Sequence, residues 1–309
     1  MTFFLWTTLI LFVICAVLFS WFMVVLTKII FNIFLNLPIK AEPFRREEGI
    51  LRYSVNLQTR DGVSIKGFFL PGQNTEGRTV VFCHEIGAGA ASFQKYAYFL
   101  RERGFHVFTF DFRGHGLSGN SDRYVPRQWV TSYELKDLKA VFHYLESNNE
   151  VDPNRIGLFG ISKGGGTALI GAARHPKVKA VVSDGAFSTS YTVMEYIKKW
   201  IPIYVPVQIR PHFVYWLLCR WTTFAVAKKF RCYFPSLEKA IPKLNQCALF
   251  LIHGKKDSYI SAEQSDVLFQ LALGPKEQWI VPEARHNEAV KVVPDEYAQR
   301  VSAFFEKYL

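Results

Sequence analysis

The chain has 309 residues, which is enough for one large α/β domain with an appendage. Hydrophobic residues make up 50% of it and aromatic residues 16%, so the composition indicates a membrane segment or an apolar pocket beside the folded core. A net charge of +11 is compatible with nucleic acid or with anionic lipid. No zinc-finger spacing or RNA-binding signature accompanies the charge, which favours lipid and argues against nucleic acid.

Five cysteines are spread widely along the chain: Cys15, Cys83, Cys219, Cys232 and Cys247. Their odd number and wide spacing indicate free thiols in a reducing compartment rather than a disulfide framework. The sequence has no close Cys/His cluster of the kind that binds a metal, and we expect no cofactor.

The N-terminal segment is uncharged over residues 3–26, and about 20 apolar residues suffice to cross a bilayer. Lys28 interrupts it before the apolar stretch 29–37. A secretory signal peptide is the alternative, but the run lacks a basic segment after Met1 and exceeds the usual apolar length. We therefore expect residues 1–37 to form a single membrane anchor.

Basic residues follow the anchor: Lys28, Lys40, Arg45 and Arg46. Because positive charge is enriched on the cytoplasmic side of membrane helices, this arrangement predicts that the folded domain after the anchor is cytoplasmic.

Beyond the anchor, two strands joined by the turn dipeptide Asp61-Gly62 are predicted. After them, strands are predicted at 79–84, 106–110, 155–159, 179–183, 248–253 and 278–281, and helices at 91–103, 133–146, 164–173, 262–273 and 295–308. Strands that alternate with helices predict a mostly parallel sheet with helices on both faces. The α/β core would comprise residues 38–185 and 247–309.

Residues 186–246 interrupt this alternation and are too long for a connection. The interval is rich in aromatic and basic residues, and Pro202, Pro206 and Pro211 predict that it forms short helices. We expect a helical cap here. Its aromatic residues would pack on the core, or would also face an anionic membrane; charges and prolines argue against a second membrane span.

The pentapeptide from Gly160 to Gly164 places Ser162 between an apolar strand and a helix of small residues. A serine at such a turn adopts a strained backbone conformation and needs small neighbours, which the two glycines provide. This context predicts that Ser162 is a nucleophile.

A serine nucleophile needs a base and a group that orients the base. Asp257 and His286 both follow predicted strands downstream of Ser162, so the same sheet edge can bring them together. Asp184 also follows a strand and is the alternative acid.

Five short sequence motifs, taken together, resemble those of a known family. They span residues 83–87, 111–118, 160–164, 253–257 and 284–286. They resemble the α/β-hydrolase superfamily, in particular its serine-aminopeptidase-like, monoglyceride-lipase-like and membrane-anchored members. The resemblance implies the α/β-hydrolase fold, with Ser162 as nucleophile, Asp257 as acid and His286 as base. It also implies an oxyanion hole formed by the backbone N–H groups of Ile86 and Lys163.

One residue departs from the family pattern. Relatives usually have glycine after the histidine of the first motif, where this chain has Glu85. A carboxylate beside the oxyanion loop is expected to weaken catalysis unless it points away or pairs with a base.

Together these features predict a membrane-anchored serine hydrolase of lipophilic esters, with small-molecule or lipid esters and membrane lipids as partners. A peptidase or acyltransferase of the same fold remains an alternative. So does a membrane-anchored interaction protein without activity, which Glu85 keeps open.

Overall fold

A computed structural model describes residues 2–35, 53–204 and 212–309 of the chain. The strands are β1 Tyr53–Gln58, β2 Ser64–Leu70, β3 Thr79–Cys83, β4 His106–Phe110, β5 Ile156–Ile161, β6 Val178–Asp184, β7 Ala248–Gly254 and β8 Lys276–Val281. The helices are α1 Thr2–Leu35, α2 Phe93–Tyr96, α3 Phe99–Glu102, α4 Ser132–Ser147, α5 Lys163–Ala172, α6 Thr189–Tyr204, α7 His212–Phe230, α8 Leu237–Ala240, α9 Glu263–Leu271, α10 Ala289–Val292 and α11 Pro294–Tyr308.

Among the described residues, the strands form one sheet in the order β1-β2-β4-β3-β5-β6-β7-β8. From β4 to β8 every neighbouring pair is parallel, whereas β2 is antiparallel to both β1 and β4. The β1–β2 hairpin turns at Asp61-Gly62 as predicted, and Gly62 has a φ of 81°. The expectation of a mostly parallel sheet is confirmed.

Both faces of the central strands are buried, which explains their continuous apolar sequences. In β3, Val81 and Cys83 pack in one hydrophobic cluster. Val80 and Phe82, which point to the opposite face of the strand, pack in another. The parallel strands therefore carry a core on each side, and their carboxyl ends are left to form a site.

Two helix predictions were wrong in detail. The helix predicted at 91–103 is broken, because Ala97 leaves helical geometry with a φ of −136° between α2 and α3. In the predicted cap, α6 continues through Pro202 to Tyr204, and α7 is 19 residues long, so these helices are not short. Pro206 and Pro211 lie outside the described residues, as do Lys40, Arg45 and Arg46.

The chain divides into two compact units. The helical unit comprises Met1–Pro38 and Val193–Phe230, and the core unit comprises Ile39–Thr192 and Arg231–Leu309. The division falls inside α6, so residues 186–192 and 231–246 of the predicted cap belong to the core unit. The predicted boundaries at 37, 185 and 246 stay predictions.

Within the helical unit, α1 contacts α7. The rings of Phe31 and Phe230 stack with centroids 6.5 Å apart, and Lys229 Nζ lies 4.6 Å from the Phe31 ring centroid. In the described part of the chain, one helix segment, Phe4–Lys28, is long and apolar enough to cross a membrane. Length and composition alone also fit a signal sequence.

Candidate active site

The turn between β5 and α5 holds Ser162 in a conformation that side chains rarely adopt, with φ 53° and ψ −116°. The flanking glycines make this turn possible. A Cβ atom at Gly160 would lie 2.2 Å from the Gly164 carbonyl oxygen, and one at Gly164 would lie 2.1 Å from the Cys83 carbonyl oxygen. Neither position tolerates a side chain, so the predicted strain and the predicted need for glycine are both present.

Three of the predicted site residues lie together at the carboxyl edge of the sheet. Ser162 follows β5, Asp257 follows β7 and His286 follows β8. Ser162 Oγ lies 2.9 Å from His286 Nε2, and His286 Nδ1 lies 2.5 Å from Asp257 Oδ2. These distances allow a continuous hydrogen-bonded chain from hydroxyl to imidazole to carboxylate.

Asp257 accepts hydrogen bonds at both carboxylate oxygens. Oδ1 accepts from the N–H groups of Tyr259 and Ile260, each at 2.9 Å, and Oδ2 faces His286 and His253 at 2.5 and 3.3 Å. Burial acts to raise the pKa of the Asp257 carboxyl, but the two histidines outweigh it and hold this pKa well below its usual range. Asp257 is therefore an anion near neutral pH.

Asp184, the alternative acid, has other partners. Its Oδ2 accepts from the Tyr297 hydroxyl at 2.9 Å, and its carbonyl accepts from the Ser162 N–H at 2.7 Å. Burial raises the pKa of its carboxyl to about 6, against the hydrogen bond from Tyr297. The geometry favours Asp257 as the partner of His286 and gives Asp184 a part in holding the turn.

The two residues expected to form the oxyanion hole stand on separate segments. Lys163 is the first residue of α5, and the first N–H groups of a helix have no acceptor within it. Ile86 follows β3 on a loop that His84 braces: the His84 ring donates from Nδ1 to the Glu85 carbonyl at 2.7 Å and accepts at Nε2 from the Phe112 N–H at 3.1 Å. The oxyanion role of Ile86 and Lys163 stays a prediction.

The carboxylate of Glu85 is engaged on the side of α2. Ser92 Oγ donates to Glu85 Oε2 at 3.2 Å. Burial raises the pKa of Tyr96, and the nearby Glu85 carboxylate, the second cause, raises it further. The Tyr96 hydroxyl accepts a hydrogen bond from Lys95 Nζ at 2.5 Å. Glu85 therefore has a hydroxyl partner, and the effect of its charge on the oxyanion loop stays a prediction.

A buried ion pair lies beneath the turn and was not predicted from the sequence. Lys163 Nζ is 2.6 Å from Glu134 Oε1 and 3.1 Å from the Tyr124 hydroxyl, which also donates to Glu134. Glu134 Oε2 accepts from the Thr131 N–H at 2.8 Å and completes the capping box of α4. The Ser/Thr-x-x-Glu pattern at 131–134 was the available sequence signal for the cap; nothing local indicated Lys163.

Metal ligands were not expected. In residues 2–35, 53–204 and 212–309, no group of three His, Cys, Asp or Glu side chains is arranged to hold a metal ion. All five cysteines lie in this described part, and none of them forms a disulfide.

The chain resembles known proteins in a family model, in sequence and in three-dimensional structure. A family model described as the alpha/beta hydrolase fold matches residues 78–231. The uncharacterised protein YfhR of Escherichia coli strain K12 is 27% identical over 242 residues, covering 76% of this chain and 74% of YfhR. The uncharacterised protein YqkD of Bacillus subtilis is 26% identical over 255 residues, covering 79% and 76% respectively.

Solved structures agree on the fold. An esterase of Pyrococcus furiosus superposes with a TM-score of 0.63 at 23% identity, covering 87% of this chain and 97% of the esterase. A dienelactone hydrolase of Anabaena variabilis superposes with a TM-score of 0.57 at 21% identity, covering 84% and 99%. The chain has the α/β-hydrolase fold, and residues 78–231 match the model of that family.

Proposed function

We propose that the chain is a serine hydrolase of carboxylic esters, held at a membrane by α1. The observation that carries the proposal is the chain of contacts from Ser162 Oγ through His286 to Asp257, at 2.9 and 2.5 Å. Hydrogen-bonded serine, histidine and carboxylate side chains on an α/β-hydrolase sheet are arranged for acyl transfer.

In the first half of the reaction, His286 Nε2 takes the hydroxyl proton as Ser162 Oγ attacks the ester carbonyl. The N–H groups of Lys163 and Ile86 donate hydrogen bonds to the carbonyl oxygen and stabilise the negative charge that develops on it. The imidazolium formed on His286 is stabilised by the Asp257 carboxylate, and it then gives its proton to the departing alcohol. The product of this half is an acyl-Ser162 ester.

In the second half, His286 removes a proton from water, and the resulting hydroxide equivalent attacks the acyl carbonyl. The tetrahedral intermediate collapses, Ser162 Oγ takes back the proton and the carboxylic acid leaves. Asp257 keeps the same tautomer of His286 available in both halves because it accepts from Nδ1 throughout. The chemistry needs no metal or cofactor.

The membrane part of the proposal depends on α1. Its segment Phe4–Lys28 is mostly solvent-exposed in the isolated chain, with Phe4 at 74% and Phe12 at 71% exposure. A helix this apolar is stable with that exposure only in lipid. The basic residues that follow favour a cytoplasmic core unit, and a C-terminal reporter that reacts only from the non-cytoplasmic side would overturn this orientation.

A membrane anchor brings the site close to lipophilic esters such as monoacylglycerols or short acyl esters. The Pyrococcus furiosus relative is an esterase by its name, which supports ester chemistry over peptide hydrolysis for this chain.

A substrate panel tests the proposal. The detergent-solubilised full chain is assayed with p-nitrophenyl esters of two to sixteen carbons and with peptide p-nitroanilides, beside Ser162→Ala as control. We expect ester hydrolysis that Ser162→Ala loses by at least about 10³-fold. Hydrolysis of anilides in preference to esters, or equal activity in Ser162→Ala, would contradict it.

A further inference from the structure

Helix α7 exposes an aromatic face that the core of the protein does not use. Residues at spacings of three and four positions fall on one side of a helix. On α7 the exposed ones at such spacings are Phe213, Trp216, Arg220, Phe224 and Lys228.

The other side of the same helix is buried. Val214, Leu218, Thr222 and Val226 follow each other at intervals of four residues, and each is at most 6% exposed. The exposed side is not polar in compensation, since Phe213, Trp216 and Phe224 are 62%, 55% and 61% exposed. Aromatic side chains on a helix are normally covered, and nothing among residues 2–35, 53–204 and 212–309 covers these three.

The position of α7 beside α1 points to a membrane as the surface that covers these side chains. Phe31, which stacks on Phe230 of α7, lies three residues after Lys28, the one charge that interrupts the apolar sequence of α1. At a rise of about 1.5 Å per residue, this contact is roughly 5 Å along the helix from Lys28. An inserted α1 would place the Lys28 ammonium among the headgroups, so the carboxyl end of α7 lies near that depth.

The chemistry of the exposed face fits the same depth. Tryptophan concentrates at membrane interfaces, where its ring is half in lipid, and arginine or lysine beside it reaches anionic headgroups. Arg220 lies with its guanidinium carbon 5.0 Å from the Trp216 ring centroid. Helix α7 carries Arg220, Lys228 and Lys229 and has no Asp or Glu.

We propose that the exposed face of α7, defined by Phe213, Trp216, Arg220, Phe224 and Lys228, lies on the headgroup region of an anionic phospholipid membrane. This inference rests on the proposed insertion of α1 and adds a second, peripheral contact. Two contacts with one bilayer restrict the orientation of the helical unit more than a single membrane-spanning helix does.

Photo-crosslinking tests the contact in the full chain reconstituted in vesicles. In separate proteins, p-benzoylphenylalanine replaces Phe224 on the α7 face, Phe12 in α1, or Leu273 in the core unit. All three side chains are exposed, at 61%, 71% and 74%. Lipid adducts are counted by mass after irradiation, in phosphatidylcholine alone and with 30% phosphatidylglycerol added.

We expect lipid adducts at positions 224 and 12 at least about tenfold above those at 273, with the yield at 224 rising when phosphatidylglycerol is present. Arg220→Glu with Lys228→Glu should lower the yield at 224 in anionic vesicles by about fivefold or more. Lys139→Glu, an exposed lysine on α4, is the matched control and should leave it unchanged.

The adduct yield at position 224 tests the α7 contact, and the yield at position 12 tests the insertion of α1. Adducts at 12 with none at 224 above the level of 273 overturn the α7 contact and leave the anchor intact. Crosslinks from 224 to a second copy of the chain also overturn it and identify the face as a protein interface. Adducts at 224 with none at 12 overturn the anchor on which the inference rests, and with it the depth assigned to α7.

Discussion

His253 Nε2 lies 3.3 Å from Asp257 Oδ2, so the proposed catalytic carboxylate faces a second histidine besides His286. The same His253 nitrogen lies 3.0 Å from the Ile260 carbonyl oxygen. A histidine inside β7, fully buried, therefore fixes the loop from which Asp257 reaches the site.

Asp257 and Asp184 are expected to respond differently to the same substitution. Asp257→Asn cannot hold the productive tautomer of His286, so we expect kcat for ester hydrolysis to fall by about 10⁴-fold. Asp184→Asn keeps an acceptor for the Tyr297 hydroxyl, and its kcat should fall less than about tenfold. Steady-state kinetics on both variants is the measurement; a larger loss in Asp184→Asn would make Asp184 the acid.

His253 should make the stability of the protein depend on pH. Burial acts to lower the pKa of His253, but its hydrogen bonds with Asp257 and the Ile260 carbonyl raise this pKa above its ordinary value. The folded chain then binds the proton more tightly than the unfolded chain. The resulting contribution to the free energy of unfolding is present in full below about pH 6.5 and is lost as pH rises through the folded pKa.

We therefore expect His253→Gln to lower the free energy of unfolding more at pH 5.5 than at pH 8.5. Denaturant unfolding in detergent, followed by tryptophan fluorescence, measures the difference. The exposed His143→Gln serves as control and should show no such trend. An effect of His253→Gln that grows with pH would contradict the sign of the raised pKa.

The buried pair of Lys163 and Glu134 should behave as one unit. Burial acts to raise the pKa of Glu134, and the Lys163 ammonium outweighs it and lowers this pKa, so the carboxylate is charged. Lys163→Met leaves that charge unpaired in the interior, and we expect a loss of about 3–5 kcal/mol in the free energy of unfolding.

The double variant separates the pair from the capping contact of α4. Lys163→Met with Glu134→Gln removes both charges and keeps an amide oxygen for the Thr131 N–H. Its stability should exceed that of Lys163→Met alone, as measured by denaturant unfolding. Losses that simply add would show that the two side chains are independent.

Glu85 should have little effect through its charge. Because its carboxylate accepts from Ser92 and lies beside Tyr96, Glu85→Gln should change kcat by less than about threefold. Glu277→Gln, in β8, is the matched control. A rise of tenfold or more in Glu85→Gln would mean that the charge opposes the oxyanion, as the sequence alone led us to expect.

The sequence predicted the sheet and the three groups at its edge because both depend on local signals. Apolar runs, glycines and the turn at Asp61-Gly62 each act within a few residues. The break at Ala97 and the passage of α6 through Pro202 were missed, because alanine favours a helix and proline interrupts one, so local propensity pointed the other way in both places. The partners of Lys163 and His253 were also missed, because pairs such as Lys163 and Glu134 lie far apart in the chain and meet only after folding.

Labelling with a fluorophosphonate probe tests the central claim most directly. The probe forms a covalent bond with a serine that an adjacent base activates, and it needs no knowledge of the substrate. The folded wild-type chain should be labelled, and the folded Ser162→Ala variant should not. A folded wild-type chain that resists the probe, or a Ser162→Ala variant labelled to the same extent, would contradict the assignment of Ser162 as an activated nucleophile.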